Sequence, residues 1–284
     1  VRLTIRDAAG NAVASREEPL SLRGGEKSTH TLPLTVPHPA LWSDETPVLY
    51  TLEVALLARD GSLFDTAATD FGIRTITFDA EHGLRVNGRS VKLRGGCMHH
   101  THAALGAADL EGALERQLRA LKAVGFNAIR SSHNPPSETL LSLCDRLGFY
   151  LMDEAFDMWH RAKTPADYHL FFDAFWREDI AAMVLSARNH PSVISYSVGN
   201  EIRECDGTSG GYALSRLLSD EIRKYDRTRP VTAAVCGVYE SPRADAPEDY
   251  AKSFMKGYTD IGRGERPGVF GEDSWLARTE QFME

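Results

Sequence analysis

Ser192–Glu201 reads SVISYSVGNE, and its reading decides the fold. Asn189-His190-Pro191 stands directly before it and stops any preceding helix, because proline lacks the backbone N–H and disfavours helical geometry in the residue ahead of it. Val193, Ile194, Tyr196 and Val198 then make a short β-branched and aromatic run, the pattern of a buried strand. The run ends on Gly199-Asn200-Glu201, which places an amide and a carboxylate together at the carboxyl end of a strand. In parallel α/β sheets and barrels, that end is where catalytic side chains gather. A carboxylate there can give or accept a proton, and a neighbouring amide can orient a hydroxyl. On spacing alone the competing reading is that Glu201 only caps the following segment.

The same rhythm extends to both sides. Strands are expected at Val91–Gly96, Phe126–Arg130, Phe149–Met152 and Pro230–Val235. Helices are expected between them, over Asp109–Val124, Ser137–Leu147, Phe171–Arg188 and Tyr212–Tyr225, with one more at Trp275–Met283. Ser137 is a natural N-cap and Gly148 a natural stop. Strands alternating with helices imply right-handed βαβ units and a parallel sheet. Gly95-Gly96 is followed by Cys97-Met98-His99-His100 rather than by a G-x-G-x-x-G turn into a helix, so a nucleotide site is a poor fit. A (β/α)8 barrel fits better, with three of its strands unaccounted for.

Residues 1–73 read differently. Val1–Arg6, Ser28–Val36 and Val48–Ala58 alternate with strand period, and Gly10-Asn11 and Asp60-Gly61 supply turns. Asn87-Gly88 marks a type I′ hairpin inside Ile76–Leu93. The expected architecture is multidomain, β plus α/β. An incomplete immunoglobulin-like β-sandwich over 1–73 precedes an incomplete TIM (β/α)8 barrel over 74–284. Both ends are expected to be cut from a longer chain.

Composition narrows the function classes. With 42% hydrophobic and 25% charged residues the chain has the make-up of an ordinary globular protein. A formal net charge of −8 without a basic run argues against nucleic acid and anionic membrane as partners. No apolar run reaches the roughly 18 residues of a membrane span. Cys97, Cys144, Cys205 and Cys236 are widely spaced, so reduced, buried thiols are expected rather than a zinc knuckle or a disulfide framework. Localisation stays open, with the cytoplasm favoured and export not excluded.

The strand ends carry a recurring polar inventory. His99 and His100 close the first, and Arg130, Ser131, Ser132, His133 and Asn134 the second. Asp153, Glu154 and Asp157 close the third, with Trp159 beyond, and Asn200 and Glu201 the fourth. In a barrel these ends face one another across one mouth. Such a cup suits a sugar, whose hydroxyls pair with polar groups and whose apolar face stacks on an indole. Arg130 is also placed to pair with Asp153 or Glu154. His99 and His100, adjacent on a strand, point to opposite faces and do not suit one zinc ion.

Five stretches, LRGGCMHH (93–100), GFNAIRSSHNPPS (125–137), CDRLGFYLMDEAFD (144–157), RNHPSVISYSVGNE (188–201) and RTRPVTAA (227–234), resemble glycoside hydrolase family 2, the β-galactosidase, β-glucuronidase and β-mannosidase group. The resemblance implies a retaining exo-β-glycosidase, most similar to a β-galactosidase, acting on a carbohydrate. Glu201 matches the acid/base. Asn200 matches the residue that holds the sugar 2-hydroxyl, and His99, His133, Arg130, Asp153 and Trp159 are placed as substrate contacts. No cofactor is implied. In the magnesium-dependent members an acidic residue precedes a histidine by two places; here Met158 precedes His160, and a thioether is a poor magnesium ligand, so no metal is expected. The nucleophile is expected beyond Glu284, with Glu272 in GVFGEDSW as a weaker candidate. This stretch alone is then expected to be inactive, and the full-length protein can form a homo-oligomer. A β-glucuronidase, a β-mannosidase or a non-catalytic carbohydrate-binding homologue are the alternatives.

Overall fold

The computed structural model describes residues 1–79, 81–204 and 210–233. Glu272, the expected helix Trp275–Met283, Cys205 and Cys236 lie outside them.

The N-terminal module is a four-stranded antiparallel sheet. Its strands are β1 (Arg2–Arg6), β2 (Ala12–Glu17), β3 (Tyr50–Leu57) and β4 (Leu63–Phe71), in the order β2-β1-β3-β4. The β1–β2 turn closes on the Asp7 carboxylate, which accepts the N–H groups of Ala9 and Asn11. Asp60 does the same for Ser62 between β3 and β4. The strand expected at Ser28–Val36 does not form. The alternation there is real, since Leu32, Leu34 and Val36 are half-buried and Thr31, Pro33 and Thr35 exposed. The segment is extended but joins no ladder, and Pro33 lacks the donor that a ladder requires.

A short antiparallel sheet follows, β5 (Ile76–Asp79), β6 (Gly83–Val86) and β7 (Arg89–Ser90). Asn87 and Gly88 both hold positive φ, 52° and 77°, as a type I′ turn demands.

The barrel segment runs β8 (Gly95–His99), α1 (Glu111–Ala123), β9 (Ala128–Ser132), α2 (Glu138–Leu147), β10 (Tyr150–Glu154), α3 (His169–Ala187), β11 (Val193–Ser197), α4 (Gly211–Tyr225) and β12 (Val231–Thr232). The five strands pair in parallel in the order β12-β11-β10-β9-β8, so each βαβ step lands on the neighbouring strand. This is an incomplete TIM barrel. β8 starts at Gly95 rather than Val91, because the ladder begins only where the Arg94 carbonyl accepts the N–H of Asn127. Gly95 is required there: a Cβ would lie 2.1 Å from the Ala128 carbonyl oxygen. α2 is capped as its sequence dictates, with Ser137 Oγ accepting the Leu140 N–H and Gly148 ending it at φ 71°.

Two apolar layers fix the barrel. Leu118, Leu141, Phe172, Ile180, Val193, Tyr196 and Val198 are buried between helices and sheet. At the opposite, amino-terminal mouth, Trp42, Leu84 and Val86 pack on Ala128, Tyr150 and Ile194. Trp42 meets the Tyr150 ring edge-on at 5.7 Å and donates to the Asp145 carbonyl at 2.9 Å. Asp44 accepts from Tyr150 Oη and from Asn127 Nδ2, both at 2.9 Å. The hairpin and the chain around Trp42 therefore close one end of the barrel.

Candidate active site

Glu154, the last residue of β10, is the hub of the other end. It is fully buried. Its Oε2 accepts Arg130 Nε at 2.8 Å, Arg130 Nη2 at 2.6 Å and Ser197 Oγ at 2.7 Å. Its Oε1 lies 2.6 Å from His133 Nδ1. Its backbone N–H donates to Ser131 Oγ. Three neighbouring strands thus converge on one carboxylate through side chains at their carboxyl ends. A buried charge is tolerated when it is paired and hydrogen-bonded in this way.

Arg130 carries the network to Asn200, donating from Nη2 to Oδ1 at 2.9 Å. On the other side Asn200 Nδ2 donates to Asp157 Oδ1 at 2.8 Å. A guanidinium has no acceptor and a carboxylate no donor, so the two partners fix which way the amide faces. One Nδ2 hydrogen and one Oδ1 lone pair remain for a substrate hydroxyl. Lys163 Nζ sits 2.6 Å from the same Asp157 oxygen and 2.9 Å from the Asn200 carbonyl. Burial pushes the Asp157 carboxyl up, but the hydrogen bonds from Lys163 and Asn200 outweigh it and hold it below its ordinary range.

His99 packs its ring edge-on against His133 with centroids 5.0 Å apart. His100 turns elsewhere, within 3.2 Å of Asn134 Nδ2. Glu201 follows Asn200 directly, half-buried, in the left-handed region at φ 45°. The structure therefore brings His99, Arg130, His133 and Asn200 into one cluster, with Glu201 adjoining Asn200 in the chain.

Two residues expected as sugar contacts lie elsewhere. Asp153 points away from Glu154, since successive strand residues face opposite sides. It sits in register with Tyr196, fully buried, and neither carboxylate oxygen has a hydrogen-bond partner among the described residues. Burial raises its pKa well above the ordinary carboxylate value, against an opposing pull from Arg229. Trp159 is 2% exposed and donates to the Val198 carbonyl at 2.7 Å. It is part of the helix–sheet core and presents no open face for stacking. Cys97 is also unlike the expectation of buried thiols: it is exposed on β8, the end strand of the described sheet, whereas Cys144 is buried.

Glu154 and Lys163 are the residues that sequence reasoning underrated. Glu154 had a signal, its place at a strand end beside a facing arginine. Lys163 had none, being one basic residue in an irregular loop. Met158 and His160 do not suit a magnesium ion. Met158 is buried with a thioether, and His160 Nε2 pairs with Asp173 at 2.9 Å.

The chain has relatives in both sequence and fold. A model described as the TIM barrel domain of glycosyl hydrolases family 2 matches residues 80–266, and one described as glycosyl hydrolases family 2 matches residues 1–74. Beta-galactosidase BoGH2A of Bacteroides ovatus is 46% identical over 201 residues, covering 71% of this chain and 24% of the relative. A putative beta-glucuronidase of Formosa agariphila is 38% identical over 196 residues, covering 68% of this chain and 18% of the relative. Among solved structures, a glycosyl hydrolase family 2 member from Bacteroides cellulosilyticus superposes with a TM-score of 0.79 at 43% identity, over 89% of this chain and 32% of its own. The chain thus spans 18–24% of the length of these two curated relatives. With the barrel model matched over more than half of its residues, this chain belongs to glycosyl hydrolase family 2.

Proposed function

We propose that this chain supplies the acid/base side of the active site of a retaining exo-β-glycosidase, and that the sugar is a β-galactoside. Glu201 is the acid/base. It protonates the bridging oxygen while a second carboxylate attacks the anomeric carbon, then takes a proton from the water that releases the sugar. That second carboxylate lies outside the described residues. Asn200 offers its remaining amide hydrogen and lone pair to the sugar 2-hydroxyl. Arg130, His99 and His133 line the same subsite.

The observation that carries this reading is the Asn200 amide, locked between Arg130 and Asp157 at the end of β11, one residue from Glu201. A carboxamide oriented at both ends, beside a carboxylate at a strand end, is the equipment for holding a hydroxyl next to a proton donor. The galactoside preference rests on the 46% identity to a relative named as a β-galactosidase. A β-glucuronide is the second reading, favoured by the 38% identity to the putative beta-glucuronidase.

The test is the full-length protein with Glu201→Gln, assayed on two β-galactosides. On an alkyl galactoside, whose leaving group needs protonation, kcat/KM is expected to fall about 100-fold to 10,000-fold, the usual worth of a general acid. On a dinitrophenyl galactoside, whose leaving group needs none, it falls far less. Equal activity of the variant and its parent on the alkyl substrate would sink the assignment.

A further inference from the structure

The loop between β10 and α3 is stitched to the segment that carries Glu201. Ala155 N–H donates to the Ser197 carbonyl at 2.9 Å, Trp159 Nε1 to Val198 at 2.7 Å and Lys163 Nζ to Asn200 at 2.9 Å. Arg161 N–H donates to Glu204 Oε1 at 2.7 Å, and Arg203 Nη1 returns a bond to the Ala162 carbonyl at 2.9 Å. The loop thus grips the segment on both sides of Glu201.

Within that grip the Lys163 contact has a particular consequence. The Asn200 carbonyl belongs to the peptide unit that joins Asn200 to Glu201. Rotation of that unit about the N–Cα bond of Glu201 is φ of Glu201, here 45°. A non-glycine residue holds this left-handed region only where its surroundings fix it. The ammonium is itself fixed. Lys163 is 18% exposed, its Nζ is 2.6 Å from Asp157 Oδ1, and its backbone N–H is tied to Asp167 Oδ2 at 2.8 Å. A compact point charge with three donors serves the Asp157 carboxylate and the Asn200 carbonyl at once, where a planar guanidinium fits less well.

We propose that Lys163 is a positioning residue for Glu201: by pinning the carbonyl of the Asn200–Glu201 peptide, it holds Glu201 in the left-handed backbone that aims its carboxyl at the leaving oxygen. This rests on the reading of Glu201 as the acid/base. Without Lys163 the Asn200 side chain keeps its bonds to Arg130 and Asp157, so the sugar contact is largely retained while substrates that need a proton are harmed selectively.

The experiment is Lys163→Met in the full-length enzyme, assayed on the same alkyl and dinitrophenyl galactosides with Glu201→Gln in parallel. For Lys163→Met, kcat/KM on the alkyl substrate is expected to fall about 30-fold, less than the full worth of the general acid because the carboxyl is misaimed and not removed, and on the dinitrophenyl substrate no more than about 3-fold. Inhibition by free galactose is expected to change by no more than about 3-fold, since Asn200 keeps its bonds to Arg130 and Asp157. A loss of folding or of sugar affinity would lower both substrates together. If Glu201→Gln splits the two substrates and Lys163→Met does not, the Lys163 assignment is overturned while the acid/base reading stands. If neither variant splits them, both are overturned. Should Lys163→Met not fold, Lys163→Leu, which likewise removes the donor, is read by the same ratio, and a ratio unchanged within about 2-fold overturns the proposal.

Discussion

Replacing Glu154 by alanine removes the acceptor on which three strands converge. The structure gives the scale of the loss. Arg130 loses two contacts to Oε2, His133 its contact to Oε1, and Ser197 Oγ its bond. Ser197 keeps a second acceptor, the Gly199 carbonyl at 2.9 Å, so its share is small. Removing one partner of a buried ion pair costs about 3–5 kcal/mol, because the remaining charge stays desolvated. Arg130 is 26% exposed and regains some water, which places the expectation near the lower bound, at about 3 kcal/mol. For a unit of this size that lowers the melting temperature of the barrel by about 6–12 °C. Differential scanning calorimetry of the full-length variant measures it. Glu154→Gln separates charge from shape: the amide keeps one acceptor but sets a donor against Arg130 or His133, and about 2 kcal/mol is expected. A double-mutant cycle with Arg130→Met isolates the pair, with a coupling of about 2–3 kcal/mol. A shift below about 2 °C for Glu154→Ala would refute the reasoning, since it would mean that Arg130 and His133 are equally well served without the carboxylate.

Trp42→Ala removes a fully buried indole and its bond to the Asp145 carbonyl, and is expected to cost about 3–5 kcal/mol in thermal or urea unfolding. His190 gives a pH dependence: burial lowers its pKa, but the Asp145 carboxylate at 2.6 Å and the charge of Glu138 outweigh this and hold it above the ordinary 6.5. A raised folded value means that the stabilisation is complete below pH 6.5 and is lost as pH rises through the folded pKa, so the melting difference between parent and His190→Gln is expected to be larger at pH 6 than at pH 8.5.

Much of the barrel was legible because its signals are local. The Ser137 cap, the Gly148 stop and the Asn87-Gly88 turn each depend on a few neighbouring residues, and each is found as expected. What escaped depends on parity or on distant partners. Asp153 and Glu154 are chemically alike, and only the pleat of β10 decides which of them meets Arg130; here it is Glu154. Trp159 near a strand end has the composition of a stacking platform. Its indole instead slides under Gly199, where a Cβ would lie 3.3 Å from Nε1 and 2.5 Å from Ile202 Cγ1, and reaches the Val198 carbonyl. The alternation in 28–36 carries no information on whether a partner strand exists, and none takes up Pro33. Lys163 becomes meaningful only once β10 and β11 lie side by side.

The two ends of the described strands divide the labour, and this division makes the functional reading testable independently of stability. At the amino ends, Ala128, Tyr150 and Ile194 are sealed by Trp42 and the hairpin, in an apolar layer with a few well-satisfied polar bonds. At the carboxyl ends, Arg130, Glu154, Asp157 and Lys163 form paired ions joined through the Asn200 amide. Ion clusters are a weak source of net stability, because desolvation consumes much of their attraction. An ordered cluster of this kind is better explained by the geometry it imposes on Asn200 and Glu201. Trp42→Ala is therefore expected to lower the melting temperature while leaving kcat of the remaining folded enzyme within about 2-fold of the parent, as a bottom-face change in a barrel should. A large fall in kcat for Trp42→Ala below its melting point would show that the two ends are coupled and that the polar cluster is not self-supporting.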